Sequence, residues 1–513
     1  MLALPGLEFS TLKNQGLFAR AACGALLAAA TLAFTGCGQN LYPFPQYNFA
    51  GRPIPPSQLA NRVMVAIDNP GALTAGQLEI LDANRDIRNN VQNTVYGFFI
   101  TGYSGRLPTT IASFPEQLYG DVYGSGDGSF AKVNYGTEAV NGSISGLPPT
   151  SDSIATIASG AQVYAASSAS SAVAVIDNQL GRDFYLNLPG AQHIVTNTGG
   201  TVVLVTTRNT NNLYRIVKLN NNVLPPPNTY ADCEPLTLPV YCVVPVQGTY
   251  DRPIGVVFSL DGSTAYVLNC GPECGGTTAS VTTLSTGSLT VSTIPTVGAA
   301  SPQVANLPVP GGVTVGLTDG VNLYVAGQEL LTSGNTASGP LAPLAGAVGH
   351  FTGVFSILSL SGATPALTSP VYSIPDGTHS SLLFADDNTL WIGSTLCQNG
   401  ARGFLATSQT AGTVNTNCLA AYTLGSGVTP TIVPAVSPTN PVPYPNQNND
   451  QYYYGDLTGI CWVQNLHKVY TAYGGQIHAF YTNNLTEINN SQITIQGTAE
   501  NVVYMDALTN AAN

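Results

Sequence analysis

Side chains able to do chemistry are few and scattered. The five histidines are His193, His350, His379, His467 and His478. No two of them stand at an H-x3-H or similar interval that would bring two imidazoles to one metal ion. Each reads as a solvated or hydrogen-bonded residue at a strand or turn edge. Ser129 and Lys132 spell S-x-x-K, a nucleophile-and-base spacing of acyl-transfer enzymes. In an extended chain those positions point to opposite faces, so the two groups would not meet. The run Gly124-Ser125-Gly126-Asp127-Gly128-Ser129 has the look of a phosphate or calcium loop. No helix follows to offer its N-terminus to a phosphate, and one carboxylate is too few for calcium. It reads as a hairpin loop. A G-x-S-x-G elbow is absent, and no catalytic set, metal site or cofactor motif emerges.

Of nine cysteines, Cys23 and Cys37 lie in the N-terminal leader described below. Proximity pairs Cys233 with Cys242, Cys270 with Cys274, and Cys397 with Cys418, each a staple on an insertion loop or on neighbouring strands in an oxidising compartment. Spacing alone leaves other pairings open. A zinc site from Cys233, Cys242, Cys270 and Cys274 is the sharper alternative; neither interval is C-x2-C, and oxidation removes thiolates. Cys461, between Ile460 and Trp462, reads as a buried, unpaired small hydrophobe. Tyr452, Tyr453 and Tyr454 form the most unusual aromatic cluster, able to stack on a sugar or a partner.

Short strands must position all of these. Arg252 to Gly298 reads as four of them: Ile254–Leu260, Ala265–Asn269, Ser280–Leu284 and Leu289–Thr296, separated by Gly, Asn, Asp and Ser. One four-stranded sheet of that size cannot bury both faces by itself and must stack on copies. Copies are visible as an apolar strand bearing an aromatic after a polar turn. They are Val163-Tyr164-Ala165-Ala166, Tyr266-Val267-Leu268-Asn269, Leu323-Tyr324-Val325-Ala326, Leu390-Trp391-Ile392-Gly393 and Val469-Tyr470-Thr471-Ala472. Val202–Thr206 followed by Leu213–Leu219 fits without the aromatic.

Arg252–Asn269 resembles the YVTN-type propeller repeat, with Tyr266-Val267-Leu268-Asn269 in the signature place and Leu268 where that repeat has Thr. The resemblance implies an all-β propeller of seven or eight four-stranded antiparallel blades. Pro108–Gly146 is the least regular unit. Arg62–Asp68 opens a unit lacking its first strand, and Asn501–Asp506 is a strand left over at the other end; paired in one blade they would close the ring and remove an exposed edge. YVTN-type propellers are also similar to seven-bladed lactonase-type proteins. An enzyme of that kind would gather polar groups from several blades at the channel mouth, with Arg208, Arg252 and Asp376 as candidates.

Residues 1–37 read as an address. Lys13 and Arg20 precede the apolar run Ala21–Phe34, which meets Thr35-Gly36-Cys37. Phe34–Cys37 resembles a bacterial lipobox, which implies a diacylglycerol on Cys37 and a mature chain starting there. Gly38-Gln39 lacks the Asp of an inner-membrane retention signal, so an outer-membrane lipoprotein, periplasmic or surface-facing, is expected. Residues 38–60, with Pro43, Pro45, Pro53, Pro55 and Pro56, read as an extended tether, and 61–513 as one propeller domain. No run after residue 40 is long and apolar enough to span a bilayer.

Only 8% of the residues are charged, against roughly 25% in an average soluble protein, so Asn, Thr, Ser and Gln must solvate the surface. A net charge of −12 with fifteen scattered basic residues excludes nucleic acid, which needs a basic stripe. The expectation is a monomeric, non-catalytic binding or scaffold module held to the membrane by its lipid and meeting a protein or polysaccharide. The lactonase-like enzyme is the alternative.

Overall fold

The computed structural model describes residues 51–69, 75–88, 98–220, 229–234, 239–331, 351–362, 364–397, 418–434, 455–488 and 492–510. Cys37 and Tyr452–Tyr454 lie outside the described residues, as does His350. The described chain from Pro53 onward folds into eight antiparallel sheets; five have four strands, two have five and one has three. It has no α-helix among the described residues, only the 3-10 turns Pro115–Gln117 and Gly271–Cys274.

The innermost strands, taken as blades 1 to 8, are Thr498–Tyr504, Pro108–Phe114, Ser153–Thr156, Ala191–Thr196, Pro253–Phe258, Val315–Thr318, Thr378–Ala385 and Leu457–Val463. Each touches the next in that order, and the eighth touches the first. The body is an eight-bladed β-propeller. Pro108–Gly146, the least regular unit in sequence, supplies a complete four-stranded blade 2.

The aromatic-bearing repeats all fall on the second strand of a blade. Tyr164, Tyr266, Tyr324, Trp391 and Tyr470 sit on Gln162–Ser167, Thr264–Asn269, Asn322–Leu330, Thr389–Thr395 and Lys468–Tyr473, each buried. Those strands are apolar at consecutive positions because both faces are covered. In blade 5, Tyr266 and Leu268 pack against Leu323 and Val325 of blade 6. The alternate residues Ala265 and Val267 pack against Val202 and Leu204 of blade 4. The core is a set of such layers, one between each pair of neighbours around the ring. A strand buried on both faces loses the polar–apolar alternation of a half-buried one.

Two expectations are corrected. Leu289–Thr296 is not the fourth strand of blade 5; Gln303–Pro308 takes that place beside Ser280–Ser285. Leu289 instead packs in the layer between blades 4 and 5 and Val291 against the layer between blades 3 and 4, and Val291 bonds the backbone of Thr201 and Lys218. Gln303–Pro308 alternates half-buried with exposed residues, as an outer strand should, whereas the more apolar stretch was worth more across a blade interface. The body also begins before residue 61: Leu59 is buried in the layer between blades 1 and 2, and Ser57 donates to Glu138.

Closure joins the chain's extremities. Arg62–Asp68 pairs with Gln77–Asp82 on one side and Thr498–Tyr504 on the other, with Met64 opposite Val503 and Val65 opposite Val502. Arg62 is 3% exposed. Its Nη2 and Nε donate to the Asp506 carboxylate at 2.6 and 3.0 Å, and Nη1 donates to Glu138 at 2.9 Å and to the Tyr135 carbonyl at 2.6 Å. Burial opposes the charge, but the bonds and charges of Asp506 and Glu138 outweigh it and hold Arg62 above its ordinary value. Arg62→Met would strand two buried carboxylates. It should lower the unfolding free energy, read from urea titration, by about 3–5 kcal/mol; a loss below about 1 kcal/mol would mean that strand pairing closes the ring unaided.

Candidate functional site

Six of the eight innermost strands carry a β-bulge close to their start, each shown by a shift in pairing register. The residues left without a partner are Thr109, Gln192, Ile254, Ser380, Thr458 and Glu500. A bulge turns a side chain out of the ladder and sharpens the local twist. Here it recurs at one level of the ring, and none of these residues is fully buried.

Gln192 and Ile254 line a recess of about 180 Å³ between blades 4 and 5, together with Arg208, Arg252 and Cys274. Arg208 follows the second strand of blade 4, and Arg252 precedes the first strand of blade 5. Arg208 Nη2 lies 3.0 Å from Asp152 Oδ1, with half of its side chain in solvent. Arg252 adopts a left-handed backbone, φ 58°, uncommon for a side chain of this kind and a mark of a constrained position. Its N–H donates to Asn211 Oδ1 at 3.1 Å. Among the described residues it has no carboxylate at salt-bridge distance. The adjacent Asp251 is turned to Thr277 and Thr278, whose N–H groups reach it at 2.8 and 2.7 Å. Burial works against that carboxylate, but these bonds and Arg252 hold it below the usual range.

The Cys270–Cys274 disulfide pins the turn that walls this recess. Glu273 on that turn accepts from Gln328 N at 2.7 Å and Nε2 at 3.2 Å; burial pushes it up to about 7. Disulfides also join Cys233 to Cys242 and Cys397 to Cys418, and Cys461 is buried and free. The four sulfurs weighed for zinc are therefore spent in two disulfides. Of the three groups that an enzyme reading asks to meet, Arg208 and Arg252 share the recess; Asp376 does not line it and is buried ahead of the first strand of blade 7.

A second cleft, of about 190 Å³, lies between blades 2 and 3 and holds Asp121, Lys132, Phe130, Ser143 and Asn178. Asp121 and Lys132 are cross-strand partners. Lys132 Nζ stands 3.7 Å from the centre of the Tyr119 ring. Burial raises the Asp121 carboxyl to about 7 against the pull of Lys132 and a bond from Thr156. Such a group can hold or release a proton at neutral pH, and only the tertiary structure reveals it. Ser129, by contrast, is a buried hydroxyl without a partner, and Gly124–Ser129 spans a hairpin turn in which Gly128 N donates to Gly124 O.

The histidines differ from expectation. His379 and His478 are buried rather than solvated, and His193 is half-buried. His379 Nε2 is 2.9 Å from the Pro375 carbonyl, and His478 Nδ1 is 2.6 Å from Glu487. Burial lowers His193 and His379 to about 4. A backbone carbonyl for His379 and a carboxylate for His478 stand where solvent was expected. Exposed His467 fits the expectation, 2.9 Å from Asp387.

No family model and no curated protein matches the chain. Among solved structures it is similar to the dihydro-heme d1 dehydrogenase in complex with DHE, at 12% identity, covering 93% of this chain and 84% of that one, TM-score 0.45. The hydrazine synthase of Kuenenia stuttgartiensis aligns at 16% identity over 79% of this chain and all of that one (100%), TM-score 0.43. A β-propeller domain from Myceliophteria thermophila aligns at 10% identity over 73% and 97%, TM-score 0.42. Likenesses of this strength carry nothing about activity.

The raised carboxyl gives a pH prediction. A folded-state value of about 7 for Asp121, against an ordinary 3.8, means the folded chain binds the extra proton between those values, so stability falls as pH rises from about 4 to 7. At about 1.4 kcal/mol per pH unit this is at most about 4 kcal/mol. Asp121→Asn should flatten that part of the curve in thermal unfolding at pH 4, 5.5 and 7; an unchanged slope would place the proton elsewhere.

Proposed function

We propose that the chain is a secreted, lipid-tethered propeller of the YVTN type that binds, without turning over, an anionic group on an envelope polysaccharide or protein. The observation that carries this reading is the shared recess. Two arginines from neighbouring blades line it, one without a carboxylate at salt-bridge distance among the described residues, in a chain whose net charge is −12. Such a local inversion of sign draws anions to one place on a surface that otherwise repels them. A recess of this size takes an anionic group with at most the one sugar ring that carries it, so the remaining contacts would come from the rim. Three disulfides accord with an oxidising compartment, and the leader ending at Cys37 supplies the route and the anchor.

Two measurements test this reading. The chain should retain alginate and not neutral dextran at low salt, with retention falling as salt rises. Arg252→Glu should weaken alginate binding by about tenfold or more. Equal retention of both polymers, or an unaffected Arg252→Glu, would sink the binding role. For the anchor, intact mass of the membrane-extracted protein should begin at Cys37 with a diacylglycerol adduct. Cys37→Ala should leave the protein unlipidated; a mature N-terminus elsewhere would overturn the tether.

A further inference from the structure

The segment that leaves the ladder after the third strand of blade 5 roofs a different arginine. Arg215 lies on the strand Leu213–Leu219, between Leu204 and Val244 of its neighbours. It is 4% exposed. Its Nη1 donates to the carbonyls of Thr290 and Thr293 at 2.9 and 3.0 Å. Among the described residues Nε and Nη2 have no hydrogen-bond partner, and no carboxylate stands within salt-bridge distance of the guanidinium. Arg215 lines a groove of about 380 Å³.

The groove supplies no counter-charge, because none of its lining residues is Asp or Glu. Its walls are largely aliphatic, with Val246, Leu289, Ile294, Pro295, Val297 and Pro302 among them. Ile294 and Val297 stand 44% and 74% exposed, uncovered apolar surface in a protein that elsewhere layers such residues between blades. Burial lowers Arg215 to about 10, which leaves it charged at neutral pH. A cation this deep, held only by two neutral carbonyls, is costly unless a ligand completes it. The Nε and Nη2 donors of a guanidinium form a planar fork that matches the two oxygens of a carboxylate.

We propose that this groove binds a small carboxylic acid with an apolar body, its carboxylate on Arg215 and its body along Ile294 and Val297. The site is separate from the recess of Arg208 and Arg252 and rests on none of its residues. The size is that of a small-molecule pocket, and the mixture of one buried cation with aliphatic walls selects for both halves of such a ligand together.

Calorimetric titration of the whole protein with octanoate, octanol and acetate tests both halves. Octanoate should bind with one site per chain, and octanol and acetate should each bind about tenfold or more weaker. Arg215→Met should abolish the preference for octanoate over octanol. Because Arg215 also braces Thr290 and Thr293, exposed Val297→Glu serves as a second variant. It leaves the core untouched and should weaken octanoate by about tenfold through charge repulsion and loss of the wall. The proposal falls if octanoate binds no better than octanol, if acetate binds equally well, or if Val297→Glu leaves octanoate affinity unchanged.

Discussion

Arg62 holds together three stretches that are remote in the chain: its own strand, the turn bearing Glu138 in blade 2, and Asp506 after the last strand. Everything else in the ring depends on that junction. Each blade is too thin to keep a core, and its apolar faces are covered only because a neighbour stands on either side. Blade 1 serves two of these layers, one with Val463 and Tyr470 of blade 8 and the other with Val122 and Val133 of blade 2. If its strands parted, both layers would open together. A buried ion pair is seldom the most economical way to gain stability. Its value here lies in register, since the two carboxylates fix where the first strand and the last must meet.

Towards the axis the constraint is crowding. Innermost strands approach so closely that a Cβ on Gly459 would lie 2.7 Å from Asn501 Cα. Direct bonds link them sideways: Thr458 Oγ1 to Ala499 O, Asn501 Nδ2 to Thr109 O, and Ser153 Oγ to Ile194 O. The bulges at Thr109, Gln192, Ile254, Ser380, Thr458 and Glu500 fall in the same zone. An extra residue there bends the strand as neighbours converge, and the displaced side chain is delivered to the rim. Packing geometry at the centre thus creates the positions from which a recess can be furnished.

Charge is used sparingly enough that each cation is informative. Arg62 and Lys468 are buried and matched, the latter by Asp86 at 2.7 Å. Lys218 meets Asp177 at 2.9 Å, and Tyr241 donates to the same carboxylate. These groups tie blades together, and their charge is used up in doing so. Arg252 and Arg215 are different: neither has a carboxylate within salt-bridge distance among the described residues, and each borders open space. An external anion would complete the electrostatics at either of these two arginines, each of which lines a recess rather than a blade-to-blade contact.

The repeating strands, their turns and the complementary ends were legible in the sequence, because steric and burial rules act locally. Val163–Ala166, Leu323–Ala326 and Leu390–Gly393 announce doubly covered strands by their unbroken apolar character, and Val502–Met505 is too apolar for a free tail. The nearby cysteine pairs were legible for the same reason. The identity of the fourth strand in blade 5 was not: Leu289–Thr296 has better strand composition than Gln303–Pro308, and only the presence of blade 4 makes it a roof instead. Nor could spacing show that Arg208 and Arg252 share a recess that Asp376 does not line, that burial raises Asp121 to about 7, or that Arg215 has no carboxylate at salt-bridge distance among the described residues. Local chemistry determines what a segment can become, whereas burial, pairing and the field at a side chain are set by residues hundreds of positions away that only the closed ring brings near.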